Sequence, residues 1–144
     1  MCIRDSALAL PLYVKCVEKR KEKLGEDHPD TVTIMDNLAI LYHSQGDYAL
    51  ALPLNVKCVE KRKEKLGEDH PDTLATMHNL AGLYQSQGDY ALALPLYLNC
   101  LEKRKEKLGE DHPSTLTTMS NLAGLYKSQG DYVLALPLYL KCLS

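Results

Sequence analysis

The stretch Asn79-Leu80-Ala81-Gly82-Leu83-Tyr84-Gln85-Ser86-Gln87-Gly88-Asp89-Tyr90-Ala91-Leu92-Ala93 decides the fold. Together with Met77 upstream, its apolar residues Leu80, Ala81 and Tyr84 fall at i, i+3, i+4 and i+7, the spacing of one face of a helix. Gly88 supplies the stop and Asp89 a cap for the next helix. Beyond it the apolar period resumes, so the reading is helix, short turn, helix. The first helix is predicted over Thr73–Ser86, with Asp72 (Ser114 one copy later) as its N-cap after Pro71 or Pro113. The second runs from about Ala91 to Leu108, with Leu94, Tyr97, Leu98 and Leu101 inward and Glu102-Lys103-Arg104-Lys105-Glu106-Lys107 mostly outward, until Gly109 stops it. Pro95, like Pro11, Pro53 and Pro137, lies early enough in its helix to predict a bend rather than a break.

This unit is copied. Leu-Gly-Glu-Asp-His-Pro begins at 24, 66 and 108, Asn-Leu-Ala at 37, 79 and 121, and every offset is 42 residues. Residues 7–48 and 49–90 match at 35 of 42 positions, and 49–90 and 91–132 at 34 of 42. Such self-similarity signals stacked helical repeats. The organisation expected is a non-repeat leader over 1–6, a remnant outside the fold, and a repeat array over 7–144. Its copies are 7–48, 49–90 and 91–132, with a partial one over 133–144. Both ends fall inside second helices without a polar cap, so a fragment of a longer array that self-associates through its uncapped ends is expected. No strand-like alternation is seen.

The repeated residues now carry a resemblance. Asn79-Leu80-Ala81, Tyr84, Gly88-Asp89-Tyr90, Ala93 and Tyr97 resemble the tetratricopeptide repeat (TPR) signature. The 42-residue period, the linker Leu66-Gly67-Glu68-Asp69-His70-Pro71-Asp72 and the early Pro95-Leu96-Tyr97 resemble the kinesin light chain type. The resemblance covers 7–144. It implies an all-α TPR α-solenoid, a right-handed superhelix of helix–turn–helix repeats. Its implied function is that of a non-catalytic adaptor or scaffold, a cargo-adaptor-like module binding a protein or an extended peptide in a concave groove. The heptad segment through which a light chain meets its motor is absent, so contact with a kinesin heavy chain or cargo is expected only through regions outside this stretch.

The copies act as their own comparison. In the first helix the differing positions include 33, 36, 40 and 43, one stripe at i, i+3, i+7 and i+10. Met35, Leu38, Ala39 and Tyr42 do not differ and form the packing stripe. A drifting solvent face is one explanation of the variation. Yet Glu60-Lys61-Arg62-Lys63-Glu64-Lys65, read as a solvated outer face, is identical in all three copies. The resemblance places the variable stripe in the groove: Thr33, Asp36, Ile40 and His43, then Ala75, His78, Gly82 and Gln85, then Thr117, Ser120, Gly124 and Lys127. Gly82 and Gly124 cost roughly 1 kcal/mol each relative to alanine in mid-helix. Either crowded neighbouring helices or an approaching ligand backbone accounts for them. Asn37, Asn79 and Asn121 adjoin the stripe and never vary, although asparagine is an indifferent helix former. An amide offers donors and an acceptor together, suiting it to a peptide main chain or to a bond between repeats. The resemblance favours the peptide. With one fixed cation, Lys127, and Asp36 at the other end, the row implies no preference for acidic peptides.

Other chemistry is sparse. Cys16, Cys58, Cys100 and Cys142 repeat at a position suited to a small buried residue, too far apart for disulfides. Free thiols fit a cytoplasmic, reducing setting. His28, His70 and His112 recur in the linker, where they order the turn rather than share a metal. No phosphate loop, zinc-protease helix or nucleophile elbow occurs, so no enzyme, cofactor or metal site is expected. The net charge of −2 and the interleaving of basic with acidic residues argue against nucleic acid. No apolar run is long enough for a membrane span. The competing reading is a structural, self-associating spacer in a larger signalling protein, for example one linked to an NTPase.

Overall fold

The computed structural model describes residues Ile3–Leu143, with side chains from Ala9 onward; Met1, Cys2 and Ser144 lie outside it. The described residues form seven helices and no strand: α1 (Ile3–Leu24), α2 (Pro29–Ser44), α3 (Tyr48–Leu66), α4 (Pro71–Ser86), α5 (Tyr90–Leu108), α6 (Pro113–Ser128) and α7 (Tyr132–Leu143). Residues 3–6 of the expected leader continue into α1. The chain divides into two compact units, residues 1–79 and 80–144, with the division inside α4.

Local chemistry sets the helix boundaries. The helices after the linkers begin two residues earlier than predicted, at Pro71 and Pro113, because the cap is histidine rather than Asp72 or Ser114. Nδ1 of His28 accepts from the amide N–H of Asp30 at 3.1 Å, and His70 and His112 make the same bond to Asp72 and Ser114. Proline then occupies the first helical position, where its missing N–H costs nothing. At the other end of α2, the N–H of Asp47 reaches the carbonyl of Tyr42 at 2.9 Å and that of Gly46 reaches His43 at 3.0 Å. This paired closure needs a left-handed residue, which Gly46 provides at φ +83°. The Asp47 and Asp89 side chains make no capping bond, while Asp131 accepts from the N–H of Leu134 at 3.3 Å. Helices α3, α5 and α7 run unbroken through Pro53, Pro95 and Pro137.

In the first unit α2 packs against both α1 and α3. Val17, Val32, Met35, Leu38 and Cys58 form the core, flanked by Tyr13, Ile34, Tyr42 and Leu54. The thiol of Cys58 points at the carbonyl of Val32 at 3.6 Å, so cysteine fills its place as a small apolar group with a weak donor. The linker is tied down by charge: Glu26 pairs with Lys57 and Lys21, and Asp27 with Lys61.

In the second unit α6 packs against α5 and α7. Its core is Ala81, Ala93, Tyr97, Leu101, Met119, Leu122 and Leu125. The inward residues of α5 are thus Ala93, Tyr97, Cys100 and Leu101, at i, i+4, i+7 and i+8. Leu98, expected inward, is 43% exposed because it lies about a third of a turn off that stripe. The thiol of Cys142 points at the carbonyl of Leu116 at 3.6 Å, repeating the Cys58 arrangement. No described helix is long and apolar enough to cross a membrane.

Candidate recognition face

The face opposite the packing stripe of α2 carries the first group of candidates. Thr33, Asn37 and Ile40 are exposed and His43 is half-buried. Among the described residues the Asn37 side chain has no hydrogen-bond partner. It opens onto a shallow depression of about 360 Å³ shared with Tyr13, Ile40, Leu41 and Ser44. The His43 ring stands edge-on to Tyr48, with centroids 5.5 Å apart. Burial against that neighbourhood holds its pKa below the ordinary histidine value. From the first part of α4, Ala75, His78 and Asn79 are half-buried.

Asp36 departs from this pattern. Its spacing puts it on the ligand-facing stripe, but only 7% of it is exposed. Its Oδ2 accepts from a guanidinium nitrogen of Arg62 at 3.1 Å and from the Thr76 hydroxyl at 3.4 Å. Its Oδ1 is buried with no partner. Desolvation raises its pKa above the usual carboxylate value, against the opposing pull of Arg62 and Thr76. The same guanidinium also donates to the carbonyl of Asp72 and to the Thr76 and Thr33 hydroxyls. Arg62 therefore joins α2, α3 and α4 inside the first unit, and its reading as part of a solvated outer face is corrected. In the second unit Arg104 similarly donates to the carbonyl of Ser114 at 3.2 Å and to the Thr118 hydroxyl at 2.7 Å. The identity of these arginines in all copies is the sequence signal for such a role.

The second unit carries the remaining candidates. Gly82, Gln85, Asn121 and Gly124 are half-buried, while Thr117, Ser120 and Lys127 are exposed. Tyr97 on α5, 2% exposed, sends its hydroxyl beneath this face to donate to Oε1 of Gln85 at 2.9 Å. Burial pushes the Tyr97 phenol up to about 12, so it stays a donor. The sequence alone places Tyr97 in the core and gives no sign of this partnership.

Cys58 and Cys100 are raised by burial to about 12 and about 11, which keeps both thiols protonated and poor nucleophiles. Among the described residues no group of three His, Cys, Asp or Glu side chains is placed to hold a metal.

Two family models, both described as tetratricopeptide repeat, match the chain, one over residues 72–144 and the other over 5–30 and 31–72. Solved structures share the fold. A Podosopora anserina protein with nearly identical TPR-like repeats, named as a kinesin light chain candidate, superposes with a TM-score of 0.79 at 27% identity. BtubC (BKLC) of P. vanneervenii superposes with a TM-score of 0.85 at 23% identity, and MamA of AMB-1 with 0.58 at 21%. The alignments cover 95%, 96% and 95% of this chain and 65%, 55% and 76% of those chains, in the same order. The chain thus spans less than two thirds of the first of these relatives. Among curated proteins none matches it.

Proposed function

Since the chain belongs to the tetratricopeptide repeat family and its repeats are of the kinesin light chain-like kind, we propose that this protein–protein interaction module binds an extended peptide on the variable faces of its linker-following helices. In the first unit Asn37 contacts the ligand main chain, with Thr33, Ile40 and His43 beside it and Ala75, His78 and Asn79 from α4. In the second unit Asn121 does so beside Gly82, Gln85, Thr117, Ser120, Gly124 and Lys127. Asp36 is left out, because its carboxylate is spent on Arg62.

The observation that carries this reading is Asn37. It is an exposed amide between buried Met35 and Leu38, unpartnered among the described residues; asparagine recurs at 79 and 121, where it is half-buried. A helix gains nothing in propensity from asparagine there. Buried thiols and membership of the repeat family support an adaptor or scaffold in a reducing, cytoplasmic setting rather than an enzyme.

The test selects a binder from a random peptide library on the intact chain and then replaces Asn37 by alanine. Unfolding free energy should change by less than about 0.5 kcal/mol, as for an exposed surface change. Peptide affinity should fall about fivefold to tenfold, the worth of one hydrogen bond. Lys63→Ala, on an exposed outer position, should alter neither. A stability loss of about 1–3 kcal/mol at Asn37, with no peptide retained, would refute the proposal.

A specific observation favours a second reading, a self-associating spacer within a larger signalling protein. Helix α7 exposes Leu134 (48%), Leu136 (59%), Leu140 (56%) and Leu143 (84%). Sedimentation at rising concentration separates the two, since the spacer associates through α7 without any peptide.

A further inference from the structure

Gly124 occupies the middle of α6, where glycine is the poorest helix former after proline. Packing does not require it. A Cβ built there would meet the Tyr139 hydroxyl at 3.7 Å and Nε2 of Gln85 at 4.0 Å, both ordinary contact distances. The backbone is helical, so no left-handed conformation demands glycine either. Crowding by neighbouring helices is therefore not the reason for the missing side chain. What the missing methyl leaves is a notch beside two polar groups.

The polarity of that notch is one-sided. Tyr97 occupies Oε1 of Gln85 through its hydroxyl, which turns the amide nitrogen outward as a donor. The Tyr139 hydroxyl, on α7, is the second donor at the notch, half-buried and without a partner among the described residues. The carbonyl of Gly124 is already engaged by the Ser128 hydroxyl at 3.0 Å. Both donors are neutral. A site with two neutral donors, its local carbonyl occupied and no Cβ in the way suits an acceptor oxygen on a slender carrier. The first unit has no such place: Ile40 stands where Gly124 does, and Asn55 where Tyr97 does.

We propose that the notch at Gly124 receives a main-chain carbonyl oxygen of a bound peptide, with Gln85 Nε2 and the Tyr139 hydroxyl as its donors. This rests on the peptide-binding reading above and adds the group recognised. Gln85 and Tyr139 are then binding residues, and Tyr97 is a positioning residue that fixes which end of the Gln85 amide faces the ligand.

The probe is a library-selected peptide with a fluorescent label, titrated against the whole chain, together with analogues in which single backbone amides are replaced by esters. An ester carbonyl is a weaker acceptor, so one position should stand out in the scan. Gly124→Ala should keep or raise the melting temperature and weaken the peptide about tenfold by filling the notch. Tyr139→Phe should weaken it about fivefold and silence the sensitive ester. Unchanged affinity in Gly124→Ala, for a peptide that Asn121→Ala on the same helix weakens, overturns the notch and leaves the interaction reading standing. A flat ester scan combined with strong loss in Lys127→Met also overturns it, in favour of a charged ligand group. Failure to select any peptide overturns both readings.

Discussion

Replacing Asp36 separates two effects that a buried ion pair combines. The Asp36 and Arg62 side chains are only 10% and 14% exposed and meet at 3.1 Å. Truncation by Asp36→Ala leaves a buried guanidinium without its counter-charge, a class of change that costs about 3–5 kcal/mol. Arg62 keeps the carbonyl of Asp72 and the Thr76 and Thr33 hydroxyls, so the cost falls at or just below the lower end of that range, about 2–3 kcal/mol. Asp36→Asn is different. It keeps the shape and an acceptor for Arg62 while removing the charge whose desolvation dominates the site. Its expected cost at pH 7 is below about 1 kcal/mol, because the amide keeps an acceptor for Arg62 and sheds a charge whose desolvation outweighs the pull of Arg62.

The pH dependence is set by the direction of the shift. The folded-state pKa of Asp36 lies above its ordinary value of 3.8. The folded chain therefore holds this proton more tightly than the unfolded one. The stability contributed by that extra affinity is complete below pH 3.8 and is lost as pH rises through the raised value. Urea unfolding followed by circular dichroism at about 222 nm, on the wild type and both variants from about pH 3.5 to 7, measures this. The wild type should lose ground to Asp36→Asn as pH rises across that window. If Asp36→Asn costs as much as Asp36→Ala at pH 7, or if the wild type gains on it with rising pH, the pair outweighs desolvation and the reasoning is wrong.

Two further outcomes test the local chemistry. His28→Ala should lower stability by about 1 kcal/mol in urea, the worth of an N-cap, and His28→Asn should restore most of it; equal midpoints for the wild type and the alanine variant would show that the Nδ1 bond does not hold the turn. In native chain treated with a maleimide at about pH 7.5, peptide mapping should find Cys16 modified quickly and Cys58 and Cys100 only after unfolding, since the first is exposed and the others are buried and raised to about 12 and about 11. Comparable labelling of Cys58 and Cys16 would contradict that burial.

Helix positions and the repeat were legible because their causes lie within a few residues of one another. Gly88 stops a helix through its own backbone freedom, and Pro71 starts one through its fixed φ. The histidine cap is hidden in the sequence for a chemical reason. Imidazole Nδ1 is an acceptor only in one tautomer, so histidine ranks below Asp and Ser in any residue-by-residue choice of cap. Leu98 is misleading because a leucine one position beyond the true stripe, next to Tyr97, reads as core when only hydrophobicity is counted.

Variation among the copies has two sources, and only geometry separates them. Positions 36, 40 and 43 belong to one stripe of α2 by spacing alone. At 40 the side chain is 42% exposed, so its change to Gly82 and Gly124 alters a surface. At 36 the side chain is buried against Arg62, 26 residues away on another helix. Its aspartate is a partner that satisfies this interior arginine rather than a surface group. No pattern within one helix reveals a partner on the next. The available signal lies elsewhere: an arginine kept at 20, 62 and 104, amid a run of lysines, marks a place where a planar, forked donor is wanted rather than a mere charge. Where a varying residue meets an unvarying arginine, the variation concerns the arginine's partners. Where it meets solvent, as at Ile40, or an open notch, as at Gly124, it concerns what binds.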